Sequence, residues 1–119
     1  MSAANKAKGT RWEHDVESFL NEVGLKARRL PRSGVKDIGD VAIEGHKLTI
    51  VIEAKNRKRQ DLATFVAEAE REAEHFEDKY GTATVGVVVC KTPRKAVDQA
   101  KVTLTLDSFI NLLKWGGVV

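Results

Sequence analysis

The run Asp40-Val-Ala-Ile-Glu-Gly-His-Lys-Leu-Thr-Ile-Val-Ile-Glu53-Ala-Lys55 constrains the fold more than any other stretch of the chain. Val41, Ala42 and Ile43 make one apolar strand, Glu44 to Lys47 a polar turn built around Gly45, and Leu48, Ile50, Val51 and Ile52 a second strand. Together they predict a β-hairpin. The second strand is apolar on both faces, so it belongs at the centre of a sheet covered on both sides. It ends abruptly in Glu53-Ala54-Lys55. Alternation puts Glu53 and Lys55 on one face, roughly 7 Å apart along the strand. Asp40 opens the partner strand, and pairing across the hairpin brings its carboxylate beside Glu53. Two carboxylates and an ammonium at the polar end of a buried hairpin are costly unless positive charge lies between the acids. A divalent metal fits that place.

The remaining sequence limits what such a hairpin can belong to. At 119 residues and 42% hydrophobic, the chain has enough apolar surface for one core and reads as a single soluble domain, residues 10–119. Residues 1–9 read as a flexible basic tail without the apolar segment of a signal peptide. No apolar stretch approaches the ~20 residues of a membrane span. Cys90 is the single cysteine, which excludes an intrachain disulfide, reads as a buried strand residue and matches a reducing cytoplasm. His14, His46 and His75 lack the spacing and the cysteine companions of a zinc site.

Net charge is only +3, yet the charges are segregated. Lys26, Arg28, Arg29, Arg32 and Lys36 fall in one stretch without an acid, Arg57, Lys58 and Arg59 follow Lys55, and Lys91, Arg94 and Lys95 form a third cluster. The acids gather at 68–78. A nearly balanced total thus conceals a basic face suited to a polyanion, with ordinary solvated charges as the plainer reading of any one cluster.

Around the hairpin, the chain alternates strands and helices. Thr10-Arg-Trp-Glu13 matches a capping box, and Trp12, Val16, Phe19, Leu20 and Val23 form the apolar stripe of a helix ended by Gly24. Glu13 lies at the border of that stripe, where it serves either as a cap or at a neighbouring cleft. Residues 25–31 predict a short strand, and a loop through Asp37 leads to Asp40. A long helix from Asp61 to Lys79 has apolar positions Leu62, Phe65, Val66, Ala69, Ala73, Phe76 and Tyr80, its acids on an opposite, solvated face. Thr82–Cys90 predicts a buried strand joined to the hairpin by a parallel crossover. A basic loop, with a possible helical turn at 94–100, leads to a strand at Val102–Leu106 and a final helix capped by Asp107. The expected architecture is α/β: a mixed sheet of about five strands flanked by helices.

Lys8-Gly9 before a helix bearing Glu13, then Arg32-Ser33-Gly34, then Asp40 and Glu53-Ala54-Lys55, resembles the archaeal-type Holliday-junction resolvases. These belong to the PD-(D/E)XK, restriction-endonuclease-like nucleases. The element order resembles theirs over roughly residues 8–115, and Val102–Trp115 resembles the end of phage and bacterial members. One departure is Gly39, where the motif carries proline before the aspartate. The resemblance implies Asp40 and Glu53 as metal ligands, Glu13 as the third acid, Lys55 as the catalytic lysine and Ser33 as a contact to the scissile phosphate. Asp37, inside the glycine-flanked loop, is a rival for Asp40. The metal implied is Mg²⁺, with Mn²⁺ as a substitute, since hard cations take oxygen ligands and keep waters. The implied activity is cutting of four-way DNA junctions in recombination and repair, by a homodimer because two strands are cut about a two-fold axis, in a prokaryotic cell or phage-infected host. The DNA-facing candidates are Arg29, Arg32, Lys36, Arg57, Lys58, Arg59, Lys91, Arg94 and Lys95. A nuclease acting on flaps, single-stranded ends or linear duplex would have the same active site. A DNA-binding module with inert carboxylates would share the basic face.

Overall fold

The computed structural model describes residues 2–32 and 36–116. Five strands, β1 (Ala27–Arg29), β2 (Val41–Glu44), β3 (Thr49–Lys55), β4 (Thr84–Cys90) and β5 (Lys101–Thr103), lie side by side in chain order in one sheet. The hairpin β2–β3 is antiparallel, with Val41 opposite Ile52 and Glu44 opposite Thr49. β3 and β4 are parallel, joined by the helix α2 (Leu62–Tyr80), as strand–helix–strand order requires. β1 and β5 add antiparallel edges. Helices α1 (Ala3–Glu22) and α3 (Leu106–Trp115) complete the α/β architecture read from the sequence.

Alternation along the central strands sorts the core into two layers. Val41, Ile52, Val85, Val87 and Val89 pack with Trp12 and Val16 of α1, and Leu112 of α3 closes on the same cluster. The opposite face sends Ala42 and Val51 against Phe76, and Val88 and Cys90 against Phe65 and Ala69, all on α2. β3 is therefore covered on both sides, which is why its apolar residues do not alternate. The fully buried Trp12 also donates its indole N–H to the Val89 carbonyl at 3.2 Å, fixing α1 across the sheet. α2 lies close to β4 at Gly86, where a Cβ would stand 2.1 Å from the Ala69 carbonyl oxygen. Any side chain there would push the helix off the sheet.

Several boundaries differ from the sequence reading, each for a local reason. The expected tail at 1–9 is instead largely helical, because Ser2 caps α1 by accepting from the Asn5 N–H at 3.1 Å and Ala3, Ala4, Lys6, Ala7 and Lys8 are strong helix formers. Thr10 consequently lies inside the helix rather than at its cap. Val23, placed on the apolar stripe, is exposed at the helix end. β1 is shorter than the 25–31 run suggested, since the Asn21 side chain bonds both the N–H and the C=O of Ala27 and sets where pairing starts. β5 ends at Thr103 because Thr105, not Asp107, caps α3 by accepting from Ser108 N–H at 3.0 Å. The helical turn anticipated at 94–100 is a 3-10 turn at Val97–Gln99. Among the described residues, no helix is long and apolar enough to cross a membrane.

Candidate active site

The sheet directions bring the charged residues to one end. β3 and β4 are parallel, so Lys55 and Cys90 end together, and the Lys91 N–H donates to the Lys55 carbonyl at 2.9 Å. β2 runs the other way and begins at this end, while β1 finishes here with Arg29 opposite Val41. Asp40, Glu53 and Lys55 therefore stand at the carboxyl ends of the parallel strands, where ligands of open α/β sheets bind. The loops carrying Arg57, Lys58 and Arg59 and Lys91, Arg94 and Lys95 leave from the same edge.

Asp40 continues the hairpin ladder past Val41 through its N–H to the Ile52 carbonyl at 2.9 Å, which sets it beside Glu53. Both side chains point to the α2 face and are buried, Asp40 at 8% and Glu53 at 6% exposure. The Asp40 Oδ2 also accepts the Ala54 N–H at 2.8 Å. The glycine before Asp40 has a structural reason. Gly39 has φ +105°, and a Cβ would meet Val51 Cγ1 at 2.3 Å. Proline, locked near φ −65°, cannot adopt this entry into the strand.

A third buried carboxylate arrives from α2. Glu72, 4% exposed, lies near Glu53, and the loop residue Asp37 approaches the same pair. Asp37, Glu53 and Glu72 each offer a carboxylate oxygen within 4.8 Å of the others. Asp37 is held in place as its Oδ1 accepts the Gly39 N–H at 3.0 Å and its carbonyl accepts from His75 Nδ1 at 2.8 Å. Glu72 Oε1 is buried without a hydrogen-bond partner among the described residues.

Crowding and burial hold these acids toward their protonated forms. Burial raises Asp40 to about 8, with the adjoining Glu53 adding to the rise and the Ala54 N–H and Arg32 opposing it. Burial likewise raises Glu53 to about 8 and Glu72 to about 7, each also feeling neighbouring carboxylates. An all-carboxylate oxygen set with a buried unpartnered acceptor suits a hard divalent cation such as Mg²⁺ or Mn²⁺.

Around this centre lie the other candidates. The Lys55 ammonium is 3.1 Å from Glu68 Oε2 and 4.7 Å from the centre of the Phe65 ring, so α2 grips it by charge and by an aromatic face. Glu13 is buried, and its two oxygens accept from Arg29 at 3.3 Å and Arg32 at 3.0 Å. Its carboxyl is raised by burial and then by the charge of Asp40, which the two arginines oppose. Arg29 and Arg32 thus serve an internal acid as well as the surface. Arg57, Lys58, Arg59, Arg94 and Lys95 are exposed, Lys91 is half-buried and Lys36 is exposed. Ser33 lies outside the described residues.

The expectation that the acids of α2 form a solvated face is corrected at three positions, one of them the half-buried Glu70, whose Oε1 accepts from the Thr105 and Ser108 hydroxyls of the α3 start at 3.0 and 3.2 Å. Glu72 is in the buried layer and Glu68 pairs with Lys55. The signal was present in the spacing: Phe65, Ala69, Glu72 and Phe76 recur at steps of four, three and four, the stripe that faces the sheet.

A family model described as "Archaeal holliday junction resolvase (hjc)" matches residues 4–107. Among solved structures, the chain is similar to that of Archaeoglobus fulgidus Hjc, described as "a Holliday junction resolvase from an archaeal hyperthermophile". The two share 28% identity with a TM-score of 0.54, over 80% of this chain and 70% of that one. No curated protein matches.

The raised carboxyl groups set the sign of the pH dependence. A folded value above the ordinary 3.8 to 4.5 means that the folded protein binds more protons than the unfolded chain between the two. The associated stability is complete below about pH 4 and is lost as pH rises through about 7 to 8. In EDTA, the urea midpoint is expected to fall between roughly pH 5 and pH 9, and excess Mn²⁺ is expected to flatten that fall. A midpoint constant across this range in EDTA would show that the acids do not share a buried site.

Proposed function

The chain belongs to the archaeal Holliday junction resolvase family, and on that footing we propose that it is a divalent-metal-dependent endodeoxyribonuclease that nicks four-way DNA junctions in recombination and repair. The observation that carries this reading is the convergence of Asp40 and Glu53 on one sheet face beside Lys55, at the end where the basic loops emerge. Asp40 and Glu53 would hold the cation, Mg²⁺ or Mn²⁺. When bound, it supplies charge neutralisation for the phosphodiester and acidifies water.

The protein's own groups then divide the work. A water oxygen attacks phosphorus, one P–O ester bond breaks, and the displaced sugar oxygen takes up a proton. Lys55, fixed by Glu68 and Phe65, presents N–H donors where negative charge grows on the phosphoryl oxygens. Arg29 and Arg32 offer guanidinium forks to flanking phosphates, and Glu13 orients both through its two oxygens. Ser33 is assigned to the scissile phosphate by family resemblance alone. The loops at 57–59 and 91–95, exposed at Arg57, Lys58, Arg59, Arg94 and Lys95, grip the backbone of the junction arms. Such an enzyme works where DNA is found, in the cytoplasm, and as a homodimer. Exposed Val102, Leu106, Phe109, Ile110 and Trp115 on β5 and α3 supply an apolar surface for the second copy.

Asp40→Ala and Glu53→Ala are each expected to reduce nicking of a labelled four-way junction by at least about 100-fold while leaving junction affinity in EDTA unchanged. Cleavage of flaps or linear duplex in preference to junctions would move the chain to another substrate of the same chemistry. Triple replacement of Arg57, Lys58 and Arg59 by Ala is expected to weaken binding to all DNA sequences and to lower the salt slope by roughly 0.9 for each phosphate no longer neutralised. An unchanged slope would take that loop off the DNA. In sedimentation equilibrium the protein is expected to be a dimer that Leu106→Asp with Phe109→Asp converts to monomers, and a monomeric wild type at tens of micromolar would refute the pairing.

A further inference from the structure

Glu72 is the residue the proposed reaction leaves unexplained. It sits on the apolar stripe of α2 between Ala69 and Phe76, where α2 packs on the sheet. Its Oε1 is out of reach of solvent and has no hydrogen-bond partner among the described residues. An ionised carboxylate placed this way is costly until a proton or a cation meets it. Lys55 is directed instead to Glu68 at 3.1 Å, and Arg29 and Arg32 to Glu13. Glu72 opens toward Asp37 and Glu53, with one oxygen from each residue within 4.8 Å of the others. One hard cation with bonds of roughly 2.0–2.6 Å can reach oxygens spread over such a span, since ligands on its opposite sides stand roughly 4–5 Å apart. Asp37 reaches the same point on a loop pinned to α2 through His75 and to Gly39 by its own side chain.

We infer that Asp37, Glu53 and Glu72 form a second divalent-cation seat, sharing Glu53 with the Asp40–Glu53 pair, so that this chain takes two metal ions rather than one. The inference deepens the nuclease reading and rests on it for the first seat. Charge supports the count. Asp37, Asp40, Glu53 and Glu72 carry four negative charges when ionised, which two divalent cations balance and one does not. Glu53 lies between Asp40 and Glu72, the position of a bridging carboxylate in two-metal phosphoryl-transfer sites, where the ions stand about 3.5–4 Å apart. The second cation would be the one nearer α2, with Glu72 as its most buried ligand.

The test is calorimetric titration of the full chain with Mn²⁺ in the absence of DNA, which reads the seats without reading catalysis. Wild type is expected to bind about two Mn²⁺ per chain, Glu72→Gln about one, and Asp40→Asn also about one. Glu72→Gln keeps the volume of the side chain and removes a buried charge, so its unfolding midpoint in EDTA is expected to equal or exceed that of wild type, while the stabilisation by Mn²⁺ falls. Electron paramagnetic resonance of Mn²⁺-loaded wild type, which needs no variant, is expected to show the spin-coupled spectrum of two neighbouring ions. A single Mn²⁺ that Asp40→Asn removes and Glu72→Gln retains overturns the second seat and leaves the nuclease reading standing. No Mn²⁺ binding by wild type overturns both.

Discussion

Mutual repulsion among buried carboxylates is the constraint on which the charged half of this molecule depends. Asp40 and Glu53 come from paired strands and Glu72 from the helix above, and all three lie almost entirely out of water. A fold selected for stability alone would fill this space with aliphatic side chains, as it does one turn further along at Phe76 against Val51. The acids instead interrupt that layer at the end of the sheet, and burial keeps each closer to its neutral form than an exposed acid would be. The arrangement is costly when the acids are ionised, and a proton or a bound divalent cation relieves it. Strained electrostatics of this kind mark functional sites more often than structural ones.

Helix α2 is the element that makes the site possible, since it does two jobs with one face. Phe65, Ala69, Ala73 and Phe76 bind it to the sheet, and Gly86 lets its backbone lie against β4 with no side chain between. The same closeness delivers Glu68 to Lys55 and Glu72 to Glu53. Phe65 serves both purposes, as it is buried against Val88 and Cys90 while its ring receives the Lys55 ammonium. Packing and the geometry of the charged cluster are therefore coupled: a shift of α2 along the sheet would move Glu72 and the partners that hold the Lys55 ammonium together.

The hairpin, the crossover and the order of elements were legible because long apolar runs with fixed periods leave few alternatives. Val41–Ile43 and Leu48–Ile52 announce a central hairpin, and the spacing from Phe65 to Phe76 announces the covering helix. The placement of Asp40, Glu53 and Lys55 was legible for the same reason, since alternation puts Glu53 and Lys55 on one face and hairpin pairing brings Asp40 beside Glu53. Glu72 was hidden by its neighbours. Counting it with Glu68, Glu70 and Glu74 made it one of a solvated group, whereas its phase with Ala69 and Phe76 placed it inside. The pairing of Arg29 and Arg32 with Glu13 was not readable either, because it joins α1 to the end of β1 and the following loop across the edge of the sheet. Helix ends were missed where a single hydroxyl decided them, at Ser2 and Thr105, both equally credible as surface residues in sequence.

Sheet direction also explains how a chain with a net charge of only +3 can address a polyanion. Every strand junction at the Asp40 end adds base: Arg29 where β1 stops, Arg57 to Arg59 after β3, Lys91 to Lys95 after β4, and Lys101 where β5 begins. α2 runs away from that end and carries Glu74, Glu77 and Asp78 to the far one, where Glu77 accepts the Thr84 N–H at 3.0 Å near the start of β4. The parallel crossover thus does more than cover the core. By returning the chain to the opposite end before β4 begins, it places the loops that follow β3 and β4 on one edge and the acids of the helix terminus on the other. The field at the surface is set by this separation rather than by the total charge, and its positive side is the edge that also holds the buried carboxylates.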